Sequence, residues 1–217
     1  PKGFAELYVD WRQVQTEVKR EAFMVVFNGR WQPLPYLFAG GHLVMNHLAR
    51  PRHSDDRYTV TDNLIVSPYV GLDLTPCTPL DTLTLKAGYH LSLDRLRNVG
   101  TWHHPQGLLV DLRAEWRFLG LHNTFYKGGA QMPLYSQLGS QLNQGDPFYQ
   151  SPTYNRTDIY AYLFRKSYLN CLASFNLHYT PGNLDFQQQL VLRFYLDDQA
   201  WKERKTAKNR GYLKNIL

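Results

Sequence analysis

Residues 52–56 read RHSDD, so that His53 stands near Asp55 and Asp56, and the stretch TWHHP adds His103 and His104. A histidine held by a carboxylate can take a proton from water, which makes these five residues the candidate centre of a peptide or lipid hydrolase. Both stretches lie between periodic segments and are rich in Ser, Asp, Arg or Pro, so they are read as loops, and the favoured reading is a solvated polar loop without catalysis. Cys77 and Cys171 are far apart, with no CxxC or Cys/His spacing, so neither a disulfide nor a metal site is inferred, and no cofactor is expected.

A second set of chemical groups is arranged with a period of two. Leu108, Val110, Leu112, Ala114, Trp116 and Phe118 alternate with Asp111, Arg113, Glu115 and Arg117 in the stretch LLVDLRAEWRF. Other segments offer matching charges on the polar parity: Glu6, Asp10 and Arg12; Lys86, His90 and Asp94; Asp185 and Arg193. The expectation is a network of opposite charges joined across neighbouring strands and pointing into the lumen of a closed sheet. His42 and His178 share that parity and are expected as hydrogen-bonded interior groups.

The elements that would carry these residues are about ten alternating runs. Strict alternation argues for half-buried strands rather than helices. The clearest is LDTLTLKAGYHLSLDR, with Leu83, Leu85, Ala87, Tyr89, Leu91 and Leu93 on one face. The connections QPLP, TPCTP, the reversal at Leu119-Gly120 and RKS are short, and those between them are mostly longer and more polar. The longest covers residues 128–157 and includes Tyr135, Gln137, Asp146, Phe148, Tyr149 and Tyr154, a candidate ligand or partner loop or a seal over one end of the barrel.

Charged residues are 19% of the chain and aromatic residues 14%, with 15 Tyr. That balance suits interfacial aromatic girdles. The formal charge of +6 does not indicate nucleic acid, because after Gln199 six Lys and Arg face Glu203 alone. The basicity is therefore concentrated in the tail, residues 198–217. Residues 31–49 are uncharged, but two prolines and two glycines make them a poor helix.

In lipid every backbone polar group is paired internally, so a sheet crosses only when closed, with an apolar outer face. The apolar faces of the clearest runs contain no charge, and Trp11, Trp31, Tyr89, Trp116 and Tyr179 lie near strand ends on those faces. The resulting expectation is an all-β chain: an antiparallel up-and-down transmembrane β-barrel of about ten strands over residues 1–197, standing alone or forming part of a larger barrel. A basic periplasmic tail follows it. Its rival is a soluble sandwich or lipocalin-like barrel with the two faces exchanged.

On this alternation, and on the Tyr-rich loop GDPFYQSPTYNRTDIYAY, the chain resembles Gram-negative outer-membrane β-barrel proteins, porin-like barrels of Bacteroidota in particular. The run QQQLVLRFYL is similar to the C-terminal signal of such proteins at Gln187, Leu192 and Phe194, but has Gln189 where glycine is usual. The resemblance implies a place in the bacterial outer membrane and a non-enzymatic role, as a narrow or plugged channel or as a binding and assembly component of the envelope. Its partners would be outer-membrane lipid and a protein reached through the tail or the long loop. The enzymatic alternative implied by the family is a hydrolase of the outer-membrane protease type, using His53, Asp55, Asp56 and His103 or His104.

Overall fold

The computed structural model describes residues 2–53, 59–130, 151–166 and 168–195. Its elements are strands β1 (Lys2–Gln13), β2 (Ala22–Leu34), β3 (Leu37–Leu48), β4 (Thr61–Asp73), β5 (Thr82–Leu96), β6 (Trp102–His103), β7 (Gln106–Trp116), β8 (Leu119–Gly128), β9 (Thr153–Arg165), β10 (Leu169–Thr180) and β11 (Asn183–Phe194), with one 3-10 turn at Thr75–Cys77. Ten of the strands are long, 10 to 15 residues, and correspond to the ten alternating runs. The eleventh, β6, is a two-residue pairing of Trp102 and His103 with Arg95 and Asp94, inside the β5–β7 connection.

All pairings are antiparallel and sequential, giving one up-and-down sheet in the order β1-β2-β3-β4-β5-β7-β8-β9-β10-β11. Among the described residues β1 pairs only with β2 and β11 only with β10, so the sheet is open. It is also strongly curled, because Arg30 of β2 and Arg193 of β11 line the same cavity.

The period of two places the residues as the sequence implies. On the outer face Leu7, Val9, Phe27, Val70, Leu85, Leu108, Ile159, Phe175 and Leu190 are exposed, and so are all five aromatics expected near strand ends. On the inner face Asn46, Asn63, Ser67, His90, Ser92, Asp94, Glu115, Asn176 and His178 are buried. The sheet therefore reverses the arrangement of a soluble sandwich, in which apolar side chains fill a dry interior and charges face water.

Inner-face glycines let aromatic rings lie flat across the neighbouring strand. A Cβ on Gly71 would collide with the Phe38 ring, and one on Gly120 with the Tyr160 ring. This explains a misplaced turn. The reversal expected at Leu119-Gly120 occurs at Arg117-Phe118, and Gly120 lies within β8 opposite Tyr160.

Arg117 takes a left-handed φ of 55° there. Its N–H is held by the Asp81 carboxylate and its guanidinium lies 5.0 Å from the Trp116 ring centre. Gly120→Val is expected to push Tyr160 off Glu115 and destabilise the fold by about 1–3 kcal/mol, through overpacking. Gly41→Ala, whose new methyl would meet nothing closer than 3.5 Å, is the control, compared by the midpoint of urea unfolding.

Candidate functional site

The register of four consecutive strands determines which inner-face charges meet. Lys86 stands opposite Asp111, Asp111 opposite Thr124, and His122 opposite Asp158. Side chains directly opposite on one face are within reach of each other. Lys86 Nζ is 3.5 Å from Asp111 Oδ1, and His122 Nε2 is 2.8 Å from Asp111 Oδ2. Thr124 donates its hydroxyl to the same carboxylate at 2.9 Å. His122 Nδ1 lies 3.9 Å from Asp158 Oδ2, and Arg156 Nε donates to Asp158 Oδ1 at 2.8 Å. The result is a ladder of two cations and two carboxylates joined through an imidazole, Lys86–Asp111–His122–Asp158–Arg156, across β5, β7, β8 and β9.

A second group sits beside it. Arg113 Nη2 is 2.6 Å from Glu115 Oε1, and the Tyr160 hydroxyl donates to the same oxygen at 2.7 Å. Glu115 is buried, so its charge is balanced locally rather than by water.

Two cavities lie against this wall. One, of about 690 Å³, is lined from β2 to β11 and receives most of the charged side chains. The other, of about 510 Å³, has a less polar wall that includes Tyr8, Val26, Val44, Ile65 and Leu109, with His42, His90 and Ser67 among them. His122, Arg156 and Asp158 line both, so the end of the ladder stands where the two spaces meet.

Of the expected lumen residues, Lys86, Asp111, Arg113 and Glu115 are joined as opposite charges. His90 contacts the Ser67 hydroxyl. Asp94 is held by neutral groups: Ser92 donates to it at 2.9 Å, Asn63 contacts it, and Asn46 bonds Asn63 at 2.6 Å. Glu6 accepts from Asn28 at 3.4 Å, Asp10 pairs with Arg12 at 3.1 Å, and Asp185 accepts from Asn183 at 3.0 Å.

Arg193 lines the first cavity without an ion pair among the described residues. Arg117 is a correction: being in the turn, it stacks on Trp116 and takes no part in the network, because the strand ends one residue before it.

The rim residues do not form a catalytic group among the described residues. His53 Nδ1 contacts the Glu17 carboxylate, and the His104 ring stacks at 6.5 Å on Trp102. No hydrogen bond or ion pair joins His53 to His103 or His104 among these residues. Asp55 and Asp56 lie outside the described residues, as do Tyr135, Gln137, Asp146, Phe148, Tyr149 and the tail from 198 to 217. Tyr154, assigned to the long loop, is instead a buried residue of β9 whose hydroxyl is 2.5 Å from His178 Nδ1. Cys77 is exposed, Cys171 is buried, and both are free.

Sequence reasoning missed His122, Arg156 and Asp158. The run LHNTFYKG shows the right alternation, with His122, Thr124 and Tyr126 sharing the inner parity. Arg156 was hidden by extending the loop to residue 157, whereas β9 begins at Thr153.

At the loop end of the outer face a different cluster marks where the apolar surface stops. Arg95 and Arg97 grip the Asp62 carboxylate at 2.7 and 2.8 Å, and Arg95 lies 4.3 Å from the Trp102 ring centre. Arg97, beyond the end of β5, donates to the Asp62 carboxylate, and this bond raises its pKa.

The wall offers paired charges, hydroxyls and imidazoles to water or a polar solute, among them the Ser67–His90 and Tyr154–His178 contacts. Among the described residues no group of three or more His, Cys, Asp and Glu is placed to hold a metal ion. Neither protein-family models, nor curated proteins, nor solved structures give a match to this chain.

Proposed function

We propose that this chain is an integral barrel of a bacterial outer membrane, without enzymatic activity, whose inner face lines a narrow or partly filled lumen for a polar solute. The observation that carries this reading is the assignment of the two faces. Large apolar side chains are exposed on the convex side, while Asp94, Glu115, Asn63 and Asn176 are buried on the concave side. Exposed hydrocarbon spread over a whole sheet face marks contact with lipid or with another protein. Continuity from β1 to β11 favours lipid.

The aromatic residues supply a dimension. Trp11 stands opposite Phe23, and Trp31 follows eight residues along β2. Eight steps measure roughly 27 Å along a strand, or about 20 Å along the membrane normal at a tilt near 40°. Leu108, opposite Tyr89, and Trp116 repeat the interval on β7. Both spacings are close to the apolar band of about 25 Å carried by such barrels.

Crossing a bilayer requires closure, and β1 and β11 are the free edges available for it. They are complementary: an antiparallel register that sets Arg12 beside Asp185 leaves Arg193 two residues from the partner of Glu6, and sets Leu7 beside Leu190 in the outer row of β11.

The reading is tested on the purified chain. Detergent partitioning and heat-modifiable migration on a gel are expected. Cysteine pairs between Leu7 or Val9 and Phe186, Leu190 or Leu192 should give an intramolecular disulfide. Crosslinked dimers alone would mean that a second copy completes the sheet. Aqueous solubility without detergent would overturn the membrane assignment.

A further inference from the structure

Among the described residues three guanidiniums lining the larger cavity are in no ion pair, although the charge of Arg165 also acts on Glu115. Arg30 lies 3.9 Å from the centre of the Phe38 ring, and Arg165 lies 4.5 Å from that of Tyr162. Arg193 completes the set, and none of the three is in an ion pair among the described residues. The other cations of this wall, Lys86, Arg113 and Arg156, are each matched by Asp111, Glu115 or Asp158.

Register places two of these groups close together, and the shared cavity adds Arg30. Asn170 of β10 pairs with Arg165 on one side and Arg193 on the other. Two guanidinium-bearing positions thus flank one asparagine, about 10 Å apart across two strand spacings. Arg165 is the last residue of β9, Arg193 is next to last in β11, and Arg30 lies in the final third of β2. All three are therefore at the short-turn end of the sheet.

Like charges aligned across a sheet repel, and an oxyanion between them relieves that repulsion. Arginine suits this task because its planar fork binds two oxygens of a phosphate at once. Asn170, already bonded through Nδ2 to the Tyr195 hydroxyl at 3.2 Å, adds a polar floor, and Tyr162 and Tyr195 add ring faces and hydroxyls.

We propose that Arg30, Arg165 and Arg193 form an oxyanion site at the short-turn end of the lumen, taking a small soluble phosphorylated solute. The site rests on the reading of the inner face as a lumen. The charge ladder beyond it, neutral on balance, would then separate the anion-binding space from the less polar one.

The probe is tripolyphosphate, titrated calorimetrically into the full chain in detergent. Binding is expected, weakened about tenfold for each guanidinium removed in Arg165→Gln and Arg193→Gln. The Arg165→Lys variant should retain more affinity than Arg165→Gln. The variant Arg30→Gln/Arg165→Gln/Arg193→Gln, checked for heat-modifiable migration, should show no binding above that of a neutral polyol. Undiminished binding by the triple variant would overturn the site and assign the phosphate to other basic groups, such as those of the tail. Absence of binding by the parent chain would also overturn it.

In planar bilayers a current carried by chloride in preference to potassium, reduced by tripolyphosphate from one side only, supports the same site. A cation-preferring current overturns it. The two ideas fail separately. A heat-modifiable barrel that ignores phosphate refutes the site alone, and a water-soluble chain that binds phosphate refutes the lumen while keeping the site.

Discussion

Leu85→Arg is expected to destabilise the protein by roughly 2 to 4 kcal/mol in a bilayer, and Phe27→Arg by a similar amount, the range for a cation at the midplane of a membrane barrel. Both positions are exposed on the outer face. Phe27 lies midway between Phe23 and Trp31 on β2, and Leu85 pairs with Leu112, midway between Leu108 and Trp116 on β7. In water the same substitutions touch little and should change stability by less than about 0.5 kcal/mol. Unfolding in urea from lipid vesicles measures the difference, and it separates a lipid-facing surface from a solvated one. A substitution at the rim, such as Val99→Arg, lies beyond β5 and should be nearly silent.

Asp111→Asn carries the second large effect. The asparagine keeps the shape but removes the charge that receives Lys86, His122 and Thr124. Breaking a fully buried ion pair costs about 3–5 kcal/mol. Because Lys86 and Asp111 keep 24% and 15% of their side-chain surface exposed, a loss of about 2–3 kcal/mol is expected here.

The cost arises mostly from the ammonium left without a partner, so Lys86→Met/Asp111→Leu should recover most of it. A double-mutant cycle on the urea midpoint reads the coupling. If Asp111→Asn leaves the midpoint unchanged, the ladder is an incidental line of solvated groups rather than part of the wall.

The two faces were legible in the sequence because the strand period is two and nothing in a neighbouring element alters it. Leu108 to Trp116, and Leu83 to Leu93, could each be assigned to one shared face without knowing what they touch. The alternation of short and long connections was legible for a similar reason, since QPLP and RKS leave the chain little choice but to reverse. Closely matched charges such as Lys86 and Asp111 were named together, although their pairing depends on register.

Other features were hidden by what the residue types suggest locally. Gly120 signals a turn by composition, yet its missing side chain serves the Tyr160 ring, while Arg117 turns the chain with help from Asp81 and Trp116. Asp94 looks like a member of a charge network and is instead enclosed by Ser92, Asn63 and, through Asn63, Asn46. Such assignments depend on which residue stands opposite, and alternation carries no information about that.

By itself the sequence determined that this chain forms long antiparallel strands with one oily and one polar face, because side-chain direction along a strand is a local property. Only the tertiary structure decided that the oily face is the outer one, that His122 and Arg156 complete a ladder begun by Lys86, and that Arg165 and Arg193 flank Asn170. Those outcomes follow from the direction of curling and from register across separate strands, which are set by packing between segments distant in the chain.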